Sequence, residues 1–227
     1  MKPLLRLKGA SRTYGARQAL APITLNLRPG ECVALVGANG SGKSTLLRLA
    51  SGRERPTKGT VEFDGAPIRE EDPTTRARVA VVGDTVACYP DLTARAHLVL
   101  VALAQGVGDE ATAWADRALA DRGLTGHADS YPSALSSGQL QSLLLATAFV
   151  RPRELLILDE PEQRLDPGAR VRLADQICAE KRDGVAVLVA THHTDLALRT
   201  ADRVVVLDEG RVLAAGAPAT VLAEFSL

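Results

Sequence analysis

Gly37-Ala38-Asn39-Gly40-Ser41-Gly42-Lys43-Ser44-Thr45 lies between two segments of opposite character. Before it runs Cys32-Val33-Ala34-Leu35-Val36, apolar throughout, which predicts a strand buried on both faces. After it, Ser44-Thr45-Leu46-Leu47-Arg48-Leu49-Ala50 has helical spacing and stops at Gly52. The nine residues fit the phosphate-loop pattern G-x-x-x-x-G-K-[ST] in its required strand-to-helix setting. Glycines let successive backbone N–H groups turn inward and form an anion cradle. The helix N-terminus adds its dipole. Lys43 supplies a mobile charge for the β- and γ-phosphates, and the Ser44 hydroxyl is a hard oxygen ligand for Mg²⁺. A chance glycine-rich turn would not bring Gly, Lys and Ser into register between a strand and a helix.

Outward from this loop the chain alternates short apolar runs with helical patterns. Leu4 to Lys8 and Ile23 to Leu27 alternate apolar and polar residues and predict half-buried strands. Val61 to Gly65 reads as a strand into a turn. Val79 to Val82, Leu155 to Leu158, Val185 to Ala190 and Val204 to Leu207 read as buried strands. Arg211 to Ala215 pairs back across an Asp-Glu-Gly turn. Alanine- and leucine-rich stretches between about residues 88 and 150 predict a helical lobe inserted between strands. The pattern implies one α/β domain over residues 1–227 with a mainly parallel sheet.

Composition narrows the function. The 227 residues are 46% hydrophobic and 24% charged, with formal net charge zero, so no global charge attracts nucleic acid. Aromatics are 3%, too few for base-stacking platforms. Cys32, Cys88 and Cys178 form no close pair, and the plain reading is idle thiols in a reducing compartment. No long apolar h-region opens the chain, and no run approaches the ~20 residues of a membrane span. These features predict a cytoplasmic protein whose membrane role, if any, comes through a partner.

Two more motifs complete a reaction site. The apolar strand at Leu155 delivers Asp159 to its C-terminal end, where a carboxylate meets the Mg²⁺ shell, and Glu160 follows as candidate general base. Leu135-Ser136-Ser137-Gly138-Gln139 opens the helical run Leu140 to Val150. Alone it would be a serine N-cap. In this order and spacing the chain resembles the ATP-binding-cassette (ABC) transporter ATPases, whose signature reads L-S-G-G-Q.

The resemblance covers almost the whole chain. It implies a P-loop NTPase fold with a RecA-like core, an N-terminal antiparallel β-subdomain and an inserted α-helical subdomain. It implies ATP and Mg²⁺ as cofactors, and adenine stacking on Tyr14. It implies a γ-phosphate contact from His192, in Ala190-Thr191-His192, with His193 as a solvated neighbour. It implies a D-loop ending in Asp166, and a signature loop, Leu135 to Gln139, that acts on a partner's ATP. The implied partners are a second cassette and an integral-membrane permease contacted near residues 84–96, with the chain peripheral on the inner face of the cell membrane. The compact size leans towards export. The alternative is a soluble ABC-type ATPase serving cofactor assembly or a macromolecular partner. A P-loop kinase or GTPase would lack the signature loop and His192.

Several positions depart from the family pattern. Ser137 replaces a glycine, and Gln163 and Arg164 alter a D-loop that usually reads E-P-T-S-A-L-D. The glutamine that the family places after the Val82 strand, against Mg²⁺ and the attacking water, aligns with Asp84, and no glutamine occurs between Gln18 and Gln105. A carboxylate there can still meet Mg²⁺, but it lacks the amide donor and adds negative charge beside a triphosphate. Asp84→Gln is therefore expected to raise ATP turnover and alter its Mg²⁺ dependence. An unchanged rate and an unchanged Mg²⁺ titration would discard this role.

Overall fold

A computed structural model describes residues 2–83 and 88–225. In chain order its elements are β1 (Leu5–Tyr14), β2 (Arg17–Leu27), β3 (Cys32–Val36), α1 (Lys43–Ala50), β4 (Lys58–Phe63), β5 (Ala66–Pro67) and α2 (Pro73–Arg78). Next come β6 (Val79–Val82), α3 (Ala94–Ala104), α4 (Ala111–Asp121), α5 (Ser137–Phe149) and β7 (Leu155–Asp159). The chain continues through α6 (Pro167–Arg182), β8 (Ala186–Ala190), α7 (Thr194–Thr200), β9 (Arg203–Asp208), β10 (Arg211–Gly216) and α8 (Pro218–Glu224).

Two sheets carry the architecture. The first has the order β2-β1-β4-β5 and is antiparallel. The second has the order β10-β9-β3-β8-β7-β6 and is parallel except for the β9–β10 hairpin. This is the expected P-loop fold: a mainly parallel core, an N-terminal antiparallel sheet and an inserted helical region.

Every residue of β3 and β8 is buried, as continuous apolar runs require. Alternation still sorts them. Val33, Leu35, Leu155, Ile157, Leu188 and Ala190 face one core, which they share with α1 and the antiparallel sheet. Cys32, Ala34, Val36, Leu156, Leu158, Val187 and Val189 face the other core, with α6, α7 and α8. A third cluster lies among α3, α4 and α5. Helix α5 belongs to two cores: Leu143, Ala146 and Val150 beside its end face the helical cluster, and Leu145, Ala148 and Phe149 face the sheet.

The N-terminal strands are longer than the alternation indicated. β1 and β2 extend as a hairpin to Tyr14 and Arg17, past register shifts near Ala10 and Arg12. Those bulges break the period of two, so the outer half reads as irregular polar sequence. The short α2 also escaped the pattern, being one polar turn and a half, capped by Asp72, whose carboxylate accepts from the Thr74 N–H at 2.9 Å.

His97 on α3 is buried, with its Nε2 2.9 Å from Thr147 Oγ1. Thr147 spends its own proton on the Leu143 carbonyl, so its oxygen accepts from His97. Nδ1 has no hydrogen-bond partner among the described residues. Protonation would bury an N–H with no acceptor, and burial lowers the His97 pKa from 6.5. As pH falls through 6.5, the unfolded chain therefore takes up the proton before the folded one, and stability is lost. His97→Gln keeps a donor and should flatten that acid loss in urea titrations between about pH 5 and pH 8. A wild-type minus variant difference that is constant with pH would remove His97 from this role.

Candidate active site

Strand register builds the site. Leu35 pairs with Ala190, and Ala190 with Asp159, so β3, β8 and β7 end at one level. The Thr191 N–H donates to the Leu35 carbonyl at 3.0 Å and the Glu160 N–H to the Ala190 carbonyl at 2.9 Å. The phosphate loop, the acidic pair and the Thr191-His192-His193 turn thus leave the sheet side by side at its C-terminal edge, where α/β sheets bind ligands.

Gly37 starts the loop at φ 153°, and a Cβ there would stand 2.1 Å from the Leu207 carbonyl oxygen. Only glycine allows β9 to support the loop this closely. Gly42, at φ 103°, is the N-cap of α1 and offers no side-chain cap, which leaves the first N–H groups of the helix open to an anion. Lys43 is buried, and its Nζ donates to the Gly37 and Ala38 carbonyls at 2.7 and 3.1 Å.

A cavity of about 690 Å³ brings Tyr14, Asn39, Gly40, Gly42, Lys43, Ser44, Thr45 and Glu160 together. That size suits a nucleotide. Gly37, Ala38 and Ser41 complete the loop beneath it. Tyr14 is 39% exposed, with the Arg12 guanidinium over its ring at 4.7 Å and its hydroxyl donating to Glu54. Glu54 also pairs with Arg12 at 2.9 Å and Arg48 at 3.1 Å. This bracing of Tyr14 joins β1, α1 and the loop after α1, and leaves no trace in local sequence.

A second cavity, about 340 Å³, adjoins the first and is lined by Ser44, Gly83, Gln141, Asp159, Glu160 and Gln163. Its hydroxyl and carboxylates are hard oxygen donors, the set Mg²⁺ prefers. Glu160 adopts φ 45°, a left-handed conformation unusual for a side-chain-bearing residue. Its Oε2 lies 3.7 Å from His192 Nδ1 and accepts from Gln163 Nε2. Gln163, a departure from the family pattern, therefore holds the carboxylate of the acidic pair. Asp84 lies outside the described residues.

The signature loop stands elsewhere. Ser136 N-caps α5 in a capping box: its Oγ accepts from the Gln139 N–H at 3.3 Å, and Gln139 Oε1 accepts from the Ser136 N–H at 2.9 Å. Ser137 is exposed at the first helical position. Leu135 packs against the helical cluster. Ser136, Gly138 and Gln139 line a cavity of about 380 Å³ with Arg164, Leu165 and Asp166. Asp166 N-caps α6, accepting from the Ala169 N–H at 2.8 Å. Within one chain, the signature residues do not line the cavity of the phosphate loop.

The sequence reading missed one buried acid. Glu162 is fully buried, and its Oε1 accepts from Thr191 Oγ1. Burial raises its pKa, while Thr191 and the two histidines oppose that shift. The signal was its replacement of the family threonine in E-P-T-S. His193 is only partly exposed and packs its ring on that of His192, centroids 4.5 Å apart, so it is not simply a solvated neighbour.

Comparison with known proteins agrees with this geometry. The model of the ABC transporter family matches residues 20–163. An aliphatic sulfonates import ATP-binding protein of Nocardia farcinica is 40% identical over 92% of this chain and 78% of its own length. A lipoprotein-releasing system ATP-binding protein of Ruegeria pomeroyi is 37% identical over 94% of this chain and 98% of its own. Among solved structures, an ATP-binding cassette in a dimeric, post-hydrolysis state with ADP and Pi superposes with a TM-score of 0.86. It has 26% identity and covers 94% of this chain and 98% of that one. The chain therefore belongs to the ABC transporter family, as an ATP-binding and ATP-hydrolysing cassette.

Proposed function

We propose that this cassette drives a separate membrane permease, working in a pair that encloses ATP between two subunits. The observation that carries the reading is the division of the site. One cavity joins Tyr14, the phosphate loop and Glu160, and another holds the signature residues with Asp166. A signature loop remote from its own phosphate loop makes sense when it serves the ATP of a second cassette. No helix among the described residues is long and apolar enough to cross a membrane, which accords with a permease on another chain. Its docking surface is proposed near residues 84–96, where Tyr89 is exposed and packs its ring against His97. The relatives include an importer and a releasing system at similar identity, so the permease sets direction and substrate.

In this reading the adenine stacks on Tyr14 and the phosphates lie over the N–H groups of the loop and α1. Lys43 exchanges its two carbonyl partners for the β- and γ-phosphates. Ser44 and Asp159 would hold Mg²⁺, which neutralises phosphate charge when bound. Glu160 takes the proton of the attacking water. Its constrained backbone and Gln163 fix the carboxylate, and His192 stands at its edge towards the γ-phosphate. Ser136 and the capped N-terminus of α5 face the partner's nucleotide.

Glu160→Gln keeps shape and loses the base. Turnover is expected to fall about 10²- to 10⁴-fold, with ATP binding retained. On size exclusion with ATP the variant should run as a dimer. Wild-type turnover in Glu160→Gln would remove the base assignment. A variant that stays monomeric with saturating ATP would count against the paired cassette.

A further inference from the structure

The turns after β7 and β8 hold a second cluster, which shares only His192 with the hydrolysis proposed above. Glu162 is 0% exposed, and only one of its oxygens is engaged, by Thr191 Oγ1. Its Oε2 is buried with no hydrogen-bond partner among the described residues. A buried carboxylate oxygen without a partner is costly unless a cation or donor meets it. The Thr191 contact ties the two turns together but satisfies the other oxygen alone.

Two imidazoles stand close to the same carboxylate. Neighbouring residues in a turn commonly point apart, yet the rings of His192 and His193 lie on one side, 4.5 Å between centroids and tilted by 35°. The His193 N–H donates to Thr191 Oγ1 at 2.9 Å, which fixes the turn against Glu162. One carboxylate oxygen of Glu162 and one nitrogen of each ring lie within 4.8 Å of one another. Tetrahedral zinc at its usual bond lengths needs ligand atoms about 3.3 Å apart. The His192 ring is exposed and the His193 ring partly exposed, so both have room to rotate towards that spacing while the sheet stays fixed.

We propose that Glu162, His192 and His193 form a binding site for a divalent first-row transition metal, with zinc as its type. Two imidazoles and one carboxylate leave a fourth position for water, the pattern of open zinc sites. Nitrogen ligands favour such ions over Mg²⁺, which keeps to the oxygen donors of Ser44 and Asp159. The dication would also supply the missing partner of Glu162 Oε2. A regulatory consequence follows and rests on the role proposed above for His192. A metal bound here holds that ring towards Glu162 and away from the γ-phosphate, so it slows hydrolysis.

The test uses the full chain, stripped with chelator and free of nucleotide, so that binding is read apart from activity. Zn²⁺ calorimetry is expected to give one ion per chain, with affinity at least tenfold weaker in both His193→Ala and Glu162→Gln. Co²⁺ as a probe should give tetrahedral d–d absorption without a thiolate charge-transfer band. Equal affinity in wild type and both variants would overturn the site, as would a thiolate band, which would assign the ion to Cys88 or Cys178. With excess Mg²⁺ and ATP, micromolar Zn²⁺ should slow the wild type and spare His193→Ala, whose metal-free turnover is unchanged. Equal inhibition of both would overturn the regulatory consequence. A wild type with no ATPase activity would sink the proposed function, and the binding measurement would still decide the site.

Discussion

The structure depends on one alignment, the level ending of β3, β8 and β7. Leu35, Ala190 and Asp159 pair across three parallel strands. Two backbone hydrogen bonds, from Thr191 to Leu35 and from Glu160 to Ala190, continue the ladder one residue beyond. A slip of one residue in β7 would turn Asp159 from the sheet's edge into its face and send Leu156 and Leu158 to the wrong core. The hydrophobic sorting of the strands therefore specifies where the acidic pair stands. Burial on both faces makes the register costly to change, and the carboxylates inherit that precision.

Much of this was legible because the defining signals are local. The phosphate loop needs its glycines in order, and Gly37 shows the reason in its approach to Leu207. The buried strands are runs of Val, Leu, Ile and Ala with no alternative use. The acidic pair follows its strand directly, so its place at the sheet edge needs no tertiary knowledge. The helical lobe was readable from the change in composition after the sixth strand.

What escaped was non-local or masked by irregularity. Bulges near Ala10 and Arg12 hid the outer hairpin, and with it the Arg12–Glu54–Arg48 ion pairs that brace Tyr14. The contact of Gln163 with Glu160 closes a reversing turn, and that of Glu162 with Thr191 joins two turns that lie 29 residues apart in the chain. Neither has a periodicity to betray it. Their trace was a mismatch with a family pattern, which marks a position as different without saying what it touches. Structure converts the mismatch at Gln163 into support for a carboxylate, and the mismatch at Glu162 into a buried acid beside two histidines.

The same logic sharpens the signature and D-loops. Each carries a helix cap made by one of its own residues, Ser136 for α5 and Asp166 for α6. A cap fixes the loop before any partner arrives, so less conformational entropy remains to be lost on pairing. The two loops are also coupled: a Cβ on Gly138 would stand 2.8 Å from the Arg164 carbonyl oxygen, so the start of α5 packs directly on the D-loop backbone. Helix α5 then runs into both the helical cluster and the sheet core. In the paired arrangement proposed above, a displacement of the signature loop would be carried along α5 into the sheet, and through Arg164 into the turn that holds Gln163 and Glu160. Ser137, which replaces the family glycine, is exposed beside this contact, so its hydroxyl alters the surface of the unit and not the Gly138–Arg164 packing.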